Sequence, residues 1–134
     1  MREIHVVCGV ALKGREVFMA RRRPEKAYGG FWELPGGKVE PGESHEQALA
    51  RELAEELKID VKVGGYIATG VDEREGLKIV LHGYLIEMQS EPVESSDHDR
   101  LGWKSIEELK ELNIPPADHP ILEATMVRLK AKLQ

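Results

Sequence analysis

The sequence predicts an α/β fold of the mixed α+β kind, in which several strands pack with two or three helices. The apolar, β-branched run Glu3–Leu12 has the composition of a buried strand. From Ser44 onward, the apolar residues instead recur at helical spacing. The chain of 134 residues suits one domain over residues 1–134, and it is long enough to bury a substantial core.

A hairpin is expected directly after the first strand. The segment Lys13–Glu16 combines a glycine with charged residues, so we interpret it as a turn. Val17–Ala20 then forms the second, shorter strand of the hairpin. Arg21 begins a loop that ends at the Pro35-Gly36-Gly37 turn, where the glycines permit backbone conformations that few other residues adopt.

The first helix has a clear start signal. Ser44 is a suitable N-cap, and Gln47 three residues later completes a capping-box pattern. A narrow apolar stripe follows at helical spacing, made by Ala48, Leu49, Leu53 and Leu57. This pattern predicts one amphipathic helix with the stripe buried.

The second half of the chain is expected to alternate strands and helices. In order, we predict a strand at Val61–Val71, a turn at Asp72–Gly76, a strand at Leu77–Glu87, a polar loop at Glu91–Asp99, a short strand at Leu101–Trp103, a helix at Ser105–Leu112 and a last helix over roughly Pro120–Leu133. Ser105 and Asp118 are the expected N-caps of the two helices.

The charge balance favours some partners over others. Lys and Arg total 19 against 24 Asp and Glu, a net charge of −5. Such a chain lacks the basic surface expected of a protein that binds a nucleic acid polymer or a membrane. A small phosphorylated substrate stays compatible with this charge, because a divalent cation can join an acidic protein to an acidic ligand.

The cysteine count and the hydropathy pattern bear on the compartment. Cys8 is the only cysteine and lies in an apolar run, so we expect a buried thiol and no internal disulfide. No apolar run reaches the roughly 18 residues that a membrane-spanning helix needs. We therefore expect a reduced, cytoplasmic protein.

Three glutamates of the predicted helix form the most informative cluster. Glu52, Glu55 and Glu56 stand at positions i, i+3 and i+4, so their carboxylates share one helix face. The like charges repel, which predicts a bound cation, and oxygen ligands favour Mg²⁺, Mn²⁺ or Ca²⁺. Arg51 is expected to point about 100 degrees away from Glu52. The alternative interpretation is an ordinary acidic helix face in contact with solvent.

The segment 37–59 resembles the Nudix box. Gly37, Glu43 and the run Arg51-Glu52-Leu53-Ala54-Glu55-Glu56-Leu57 stand at the spacing of that motif. Lys58 departs from it, because the family usually has a glycine there to end the helix in a left-handed turn. A lysine either adopts that turn at a cost of about 1 kcal/mol or ends the helix differently, and it removes no ligand. The upstream run Trp32-Glu33-Leu34-Pro35-Gly36 also looks like the family.

The resemblance implies a fold and a reaction. The fold would be a Nudix-like α/β/α sandwich around a mixed β-sheet. The chain looks most like the MutT-like subgroup, including bacterial CTP pyrophosphohydrolases, which hydrolyses nucleoside triphosphates to a monophosphate and pyrophosphate. Attack would occur at the β-phosphorus with Mg²⁺, or with Mn²⁺ as its substitute. The substrate would be (d)CTP, a modified pyrimidine nucleotide or 8-oxo-dGTP.

The resemblance also implies roles for residues of the box. The implied metal ligands are the carboxylates of Glu52, Glu55 and Glu56 with the backbone carbonyl of Gly36. Glu43 would pair with Arg51 and hold the loop against the helix, and Lys38 would lie near the phosphates. The implied catalytic set is Glu52, Glu56, Glu43 and Arg51.

A further acidic ligand is expected from the loop before Trp103. Counting back from Trp103, Asp97 falls where the family often has glutamate, so the resemblance implies a fifth metal ligand there. An exposed loop acid is the alternative. Glu52 or this distal acid would orient or deprotonate the attacking water, and both remain open. His98 could compete as a ligand or base, although a lone loop histidine is usually neither.

Substrate recognition is expected from outside the box. Arg22 or Arg23 would reach a phosphate, with a solvated surface charge as the alternative. Asp118 stands where CTP-cleaving relatives tend to have aspartate; if ionised, it would accept a hydrogen bond from the exocyclic amine of cytosine. The alternative role for Asp118 is to cap the last helix, and the two roles are compatible. Tyr28, Phe31 and Tyr84 are candidates for stacking on the base, with ordinary packing as the alternative.

Two other functions stay open at this point. A non-catalytic Nudix-fold module would bind a nucleotide or a protein, although such modules usually lose the glutamates that this chain keeps. A hydrolase of ADP-ribose or of a dinucleotide would act on another nucleoside diphosphate linked to a second group. The expected partner is a small nucleotide, and the protein would be a monomer or a homodimer.

Overall fold

The computed structural model describes residues 1–132, so Leu133, the predicted end of the last helix, lies outside the described residues. The strands are β1 (Arg2–Val10), β2 (Leu12–Lys13), β3 (Glu16–Arg22), β4 (Trp32–Glu33), β5 (Gly36–Lys38), β6 (Val61–Arg74), β7 (Leu77–Met88) and β8 (His98–Ser105). The helices are α1 (His45–Leu57), α2 (Ile106–Leu109) and α3 (His119–Lys132), and a 3-10 turn spans Pro116–Asp118.

The strands form one mixed sheet and one antiparallel sheet. In the mixed sheet the order is β5-β1-β7-β6, with β1 parallel to β7 and the outer pairs antiparallel. In the second sheet β3 pairs antiparallel with β2, β4 and β8. The parallel pair requires a long connection between β1 and β7, and that connection includes β5 and α1. The predicted mixed α/β class is confirmed.

The core has two halves, because neighbouring side chains of a strand point to opposite faces. Val7 and Phe18 pack in the half that contains the apolar stripe of α1. Cys8 and Met19 pack in the other half, which contains Ile121 of α3. Helices therefore cover both sides of the sheets, and Cys8 is buried as predicted.

Both ends of α1 follow from the sequence. The Ser44 Oγ accepts the backbone N–H of Gln47 at 3.1 Å, and the Gln47 side chain accepts the backbone N–H of Ser44 at 2.9 Å. This reciprocal pair confirms the capping box. Lys58 ends the helix in the left-handed conformation, with φ 57° and ψ 36°. Its Nζ donates to the backbone oxygen of Glu55 at 2.6 Å, which helps to hold that conformation.

Several predicted boundaries were wrong in the second half. The predicted turn at Asp72–Gly76 shrinks to Glu75 and Gly76, because the pairing of β6 with β7 continues to Arg74 opposite Leu77. Glu75 and Gly76 have φ values of 51° and 76°, the positive angles that a two-residue hairpin turn favours.

The later boundaries also move. Strand β8 begins at His98 rather than Leu101, because pairing with β3 continues past a bulge as far as Arg22. The helix predicted at Ser105–Leu112 is confined to α2, which begins after the Ser105 cap. Within the part of the chain that is described, none of the helices has both the length and the apolar character needed to cross a membrane.

Candidate functional site

A cavity of about 700 Å³ opens between the end of β3, strand β5, helix α1 and the 3-10 turn. Eight of the predicted site residues line it: Arg22, Tyr28, Gly36, Lys38, Glu52, Glu56, Asp97 and Asp118. These residues lie far apart in the sequence, and only the fold brings them to one surface. The other six, Arg23, Phe31, Glu43, Arg51, Glu55 and Tyr84, are not among the lining residues.

Arg51 fastens the preceding loop to α1. Its Nε and Nη2 donate to the two carboxylate oxygens of Glu43 at 2.7 and 2.9 Å, and Nη2 also donates to the backbone oxygen of Lys38 at 3.1 Å. The bond from Arg51, together with a backbone N–H from Glu40, lowers the pKa of Glu43 to about 2. The segment between Lys38 and Glu43 is thereby held against the helix.

Arg51 also reaches the acidic face of α1, which corrects the expectation that it points away. Its Nη1 lies 3.1 Å from Glu52 Oε1 and 3.3 Å from Glu55 Oε2. The Cα–Cβ bonds of Arg51 and Glu52 point in different directions around the helix, but the long Arg51 side chain bends back towards the carboxylates. Glu55 remains 62% exposed, whereas Glu52 turns towards the cavity.

Glu52 lies directly against the backbone of Gly37. A Cβ atom at Gly37 would stand 2.2 Å from the Glu52 Cδ, so a larger residue there would displace the carboxylate. Burial raises the pKa of Glu52, although Arg51 opposes this effect. Gly37 is therefore needed for close packing of β5 on the carboxylates of α1.

Glu56 is the most deeply placed of the three glutamates. Burial raises its pKa well above the usual range, and a hydrogen bond with Asp97 adds to this effect. That shared bond lowers the pKa of Asp97, as does the Lys26 ammonium, whose Nζ lies 3.0 Å from Asp97 Oδ1. Glu56 Oε2 is buried without a hydrogen-bond partner among the described residues.

The donor set fits a hard divalent cation. Carboxylate oxygens are the ligands that Mg²⁺ prefers. Among the described residues, the buried Oε2 of Glu56 has no hydrogen-bond donor, and a bound cation would satisfy it. Within residues 1–132, however, no three His, Cys, Asp or Glu side chains already surround one point at coordination distance. Arg51 holds Glu52 and Glu55, and Lys26 holds Asp97, so a cation would have to replace these contacts.

Asp118 also lines the cavity and is 4% exposed. Its Oδ2 accepts the backbone N–H of Leu34 at 2.9 Å, and this long-range bond replaces the predicted capping of α3. Burial raises the pKa of Asp118 to about 8, with a further rise from Glu33. A pKa of about 8 favours a protonated carboxyl near neutral pH, so an ionised Asp118 stays a prediction.

Two of the predicted substrate-binding residues have structural partners instead. Arg23 donates from Nε to the backbone oxygen of Ser96 at 2.9 Å. The Tyr84 hydroxyl lies 2.8 Å from His45 Nδ1, at the start of α1. Neither side chain faces the cavity, whereas Arg22 does.

Comparison with known proteins places this architecture in a family. The NUDIX domain model matches residues 1–125. The chain belongs to the Nudix hydrolase family. It is 39% identical over 132 residues to the CTP pyrophosphohydrolase of Escherichia coli K12, covering 98% of each chain. It is 38% identical over 119 residues to the putative 8-oxo-dGTP diphosphatase 2 of Mycobacterium tuberculosis, covering 84% of this chain and 81% of the relative.

Solved structures agree with the family assignment. The solution structure of the E. coli ORF135 protein superposes with a TM-score of 0.83 at 39% identity. The aligned region covers 95% of this Nudix chain and 91% of that one. The predicted Nudix-like sandwich is therefore confirmed.

This Nudix chain also brings residues to the cavity that sequence reasoning missed. Glu33 lines it and accepts two bonds from Arg22 Nη1, at 3.0 and 3.2 Å. Asp72 and Arg74 also line it: Tyr28, a predicted stacking candidate, donates to Asp72 Oδ2 at 2.8 Å, and the guanidinium of Arg74 lies 4.4 Å from the Tyr28 ring centre. In the sequence, the one feature that could have pointed to Glu33 is its place in the family-like run that ends at Gly36.

Proposed function

We propose that this Nudix hydrolase is a metal-dependent nucleoside triphosphate pyrophosphohydrolase that converts CTP or dCTP, or a modified pyrimidine nucleotide, to the monophosphate and pyrophosphate. The observation that carries the proposal is that one cavity brings two kinds of acidic group together. Glu52 and Glu56 of α1 line it, and so does the buried carboxyl of Asp118, which accepts the backbone N–H of Leu34. A nucleotide needs both kinds of partner, because it carries a polyphosphate and a hydrogen-bonding base.

The metal site would be built on α1. The ligands would be Glu52, Glu55 and Glu56 with the Gly36 carbonyl and Asp97, and the cation would be Mg²⁺, with Mn²⁺ as a substitute. A bound cation supplies neutralisation of the phosphate charge and a more acidic water. The partnerless buried oxygen of Glu56 supports this assignment.

The basic residues would act on the phosphates and on the loop. Lys38 lines the cavity and would bind phosphate oxygens, since its ammonium group carries only donors. Arg22 also lines the cavity, but it donates to both oxygens of Glu33, so it would bind the substrate beside the base. Glu43 and Arg51 would act together by keeping the loop before α1 in place, as their paired hydrogen bonds suggest. Arg22 is favoured over Arg23 because it lines the cavity and Arg23 does not; both guanidinium groups also donate to a backbone oxygen.

The groups near Asp118 support a cytosine substrate. Glu33 accepts hydrogen bonds from Arg22, and a protonated Asp118 can donate one. The cytosine edge offers the matching pair, since its N4 amine donates and its N3 accepts. The E. coli relative named CTP pyrophosphohydrolase, which aligns over 98% of this chain, favours the same substrate.

A second candidate substrate is 8-oxo-dGTP. The M. tuberculosis relative carries that activity in its name at 38% identity. The guanine edge also places an acceptor, O6, beside a donor, N1–H, so the same two carboxyl groups could read it. Discrimination between the two bases therefore has to be measured.

The test is product analysis on a panel of nucleotides with Mg²⁺. The panel contains CTP, dCTP, a 5-substituted dCTP, UTP, 8-oxo-dGTP, ADP-ribose and NADH, and the products are separated by ion-exchange chromatography. We expect CTP or dCTP to have the highest kcat/KM and to yield CMP or dCMP with pyrophosphate. Preferential cleavage of ADP-ribose or NADH would contradict the proposal, and binding of CTP without turnover would favour a non-catalytic module.

The assembly and the compartment are further parts of the proposal. We expect a monomer or a homodimer, which light scattering on a gel-filtration column distinguishes. We also expect a cytoplasmic enzyme that acts on free nucleotides rather than on nucleic acid polymers, as the net charge of −5 suggests.

A further inference from the structure

We propose that His98, held by Ser95, is a positioning residue that orients the carboxylate of Glu33 for recognition of the base. The inference deepens the proposed function and rests on it, because it takes Glu33 as the acceptor that faces the nucleobase. His98 and Glu33 lie near the proposed metal ligands Asp97 and Glu56, so the test includes a readout of metal binding. The sequence gives no hint of this role, since His98 stands in a run of polar loop residues.

His98 is buried, with 4% of its surface exposed. The bulge between Arg21 and Arg22 sets His98 opposite Arg22 in the pairing of β3 with β8. From that position its ring spans two partners. Nδ1 lies 2.7 Å from Ser95 Oγ, and Nε2 lies 2.8 Å from Glu33 Oε2. A continuous chain of hydrogen bonds therefore runs from Ser95 through His98 to the wall of the cavity.

The direction of each bond follows from the Arg22 guanidinium, which can only donate. Arg22 Nη1 lies 3.2 Å from Glu33 Oε1 and 3.0 Å from Oε2, so both carboxylate oxygens accept. His98 Nε2 must then carry the proton that it shares with Oε2. In a neutral imidazole Nδ1 is left as an acceptor, and the Ser95 hydroxyl donates to it.

The two carboxylate oxygens of Glu33 accept different numbers of hydrogen bonds. Oε2 accepts from both Arg22 and His98, whereas Oε1 accepts only the longer bond from Arg22. Oε1 therefore retains accepting capacity for a ligand in the cavity. Without the imidazole, the carboxylate would be held by Arg22 alone and could rotate about its last torsion, which is broad for glutamate.

A fixed orientation of Glu33 should favour cytosine over uracil. A fixed acceptor pairs with the N4 amine of cytosine but opposes the O4 of uracil, which is itself an acceptor. A mobile Glu33 would lose that contrast. The network should therefore influence the preference for CTP over UTP more than it influences turnover as such.

The test compares Ser95→Ala with Ser96→Ala. Ser95 is buried against the imidazole, and Ser96 is its exposed neighbour, so the second variant is a matched control. The measured quantity is kcat/KM for CTP divided by kcat/KM for UTP at saturating Mg²⁺. We expect Ser95→Ala to lower this ratio about tenfold, mainly through KM for CTP, and Ser96→Ala to leave it unchanged.

A merely structural role gives a different result. Loss of folded protein lowers the rates for both nucleotides together, so an unchanged ratio in Ser95→Ala would overturn the proposal. The Mg²⁺ concentration at half-maximal rate should also stay at the wild-type value. A rise in that concentration would instead indicate a disturbed Asp97, which is adjacent in sequence, and would likewise count against positioning of Glu33.

His98→Gln offers a second variant, since its amide can still donate to Glu33, and should retain more selectivity than His98→Ala.

The proposal has a readout that does not depend on activity. Long-range ¹H–¹⁵N spectra of the wild-type protein report which imidazole nitrogen of His98 carries hydrogen. We expect hydrogen on Nε2, and hydrogen on Nδ1 alone would overturn the proposal. If the wild type shows no preference for CTP over the other nucleotides, the proposed function fails. The spectrum still decides in that case whether His98 donates to Glu33.

Discussion

Asp118→Asn should make stability less sensitive to pH. The Asp118 carboxyl is buried, which raises its pKa from 3.8 to about 8. Between those values the unfolded chain releases a proton that the folded chain keeps, so wild-type stability falls as pH rises and levels off above about pH 8. Asparagine does not ionise, and its side-chain oxygen can still accept the backbone N–H of Leu34.

The magnitude follows from the pKa difference. At about 1.4 kcal/mol per pKa unit, the full effect is at most about 6 kcal/mol, and about 4 kcal/mol of it falls between pH 5 and pH 8. Since a domain of this size is stable by only about 5–15 kcal/mol, such a change is easily measured.

The assay is urea denaturation of the wild type and Asp118→Asn at several pH values from 5 to 9. We expect the free energy of unfolding of the variant, relative to wild type, to rise steadily up to about pH 8. Asp60→Asn, which removes an exposed carboxylate, is the matched control. A constant difference between Asp118→Asn and wild type across this range would refute the assignment of a buried, protonated Asp118.

Two further predictions concern the backbone. Lys58→Gly should stabilise the protein by up to about 1 kcal/mol in urea denaturation, because Lys58 has φ 57°. Lys110→Gly is its control, since Lys110 has φ −67° and should gain nothing; equal effects would contradict the reasoning. Gly83→Ala should destabilise by about 1–3 kcal/mol, because its Cβ would lie 2.6 Å from Ile121 Cγ2. Gly65→Ala is the control, because its Cβ would meet no atom within 4 Å. A fall in melting temperature as large as that of Gly83→Ala would contradict the predicted clash with Ile121.

Local signals account for what the sequence predicted well. The capping box at Ser44 and the four-residue apolar stripe lie within a single helix, so spacing alone located α1 and its buried face. The mixed fold class followed from the order of apolar runs. The carboxylates of Glu52 and Glu56 came to one cavity for the same reason, since helical geometry fixes their common face.

Contacts between distant segments account for what was missed. Glu33 meets His98 across 65 residues, and the Leu34 amide meets Asp118 across 84. No spacing rule relates such pairs, so neither the burial of His98 nor the raised pKa of Asp118 could be read from the chain. Strand ends were also set by pairing, as at Arg74, where β7 extends the partner strand through a predicted turn.

Whether the carboxylates of α1 hold a divalent cation is tested most directly by Mn²⁺ binding, followed by electron paramagnetic resonance. We expect saturable binding to the wild type and a loss of at least about tenfold in affinity in Glu52→Gln and Glu56→Gln. Circular dichroism should report the same fold for both variants. Glu111→Gln, an exposed glutamate outside the cavity, should bind as the wild type does. Wild-type affinity in both Glu52→Gln and Glu56→Gln would contradict a metal site on this helix.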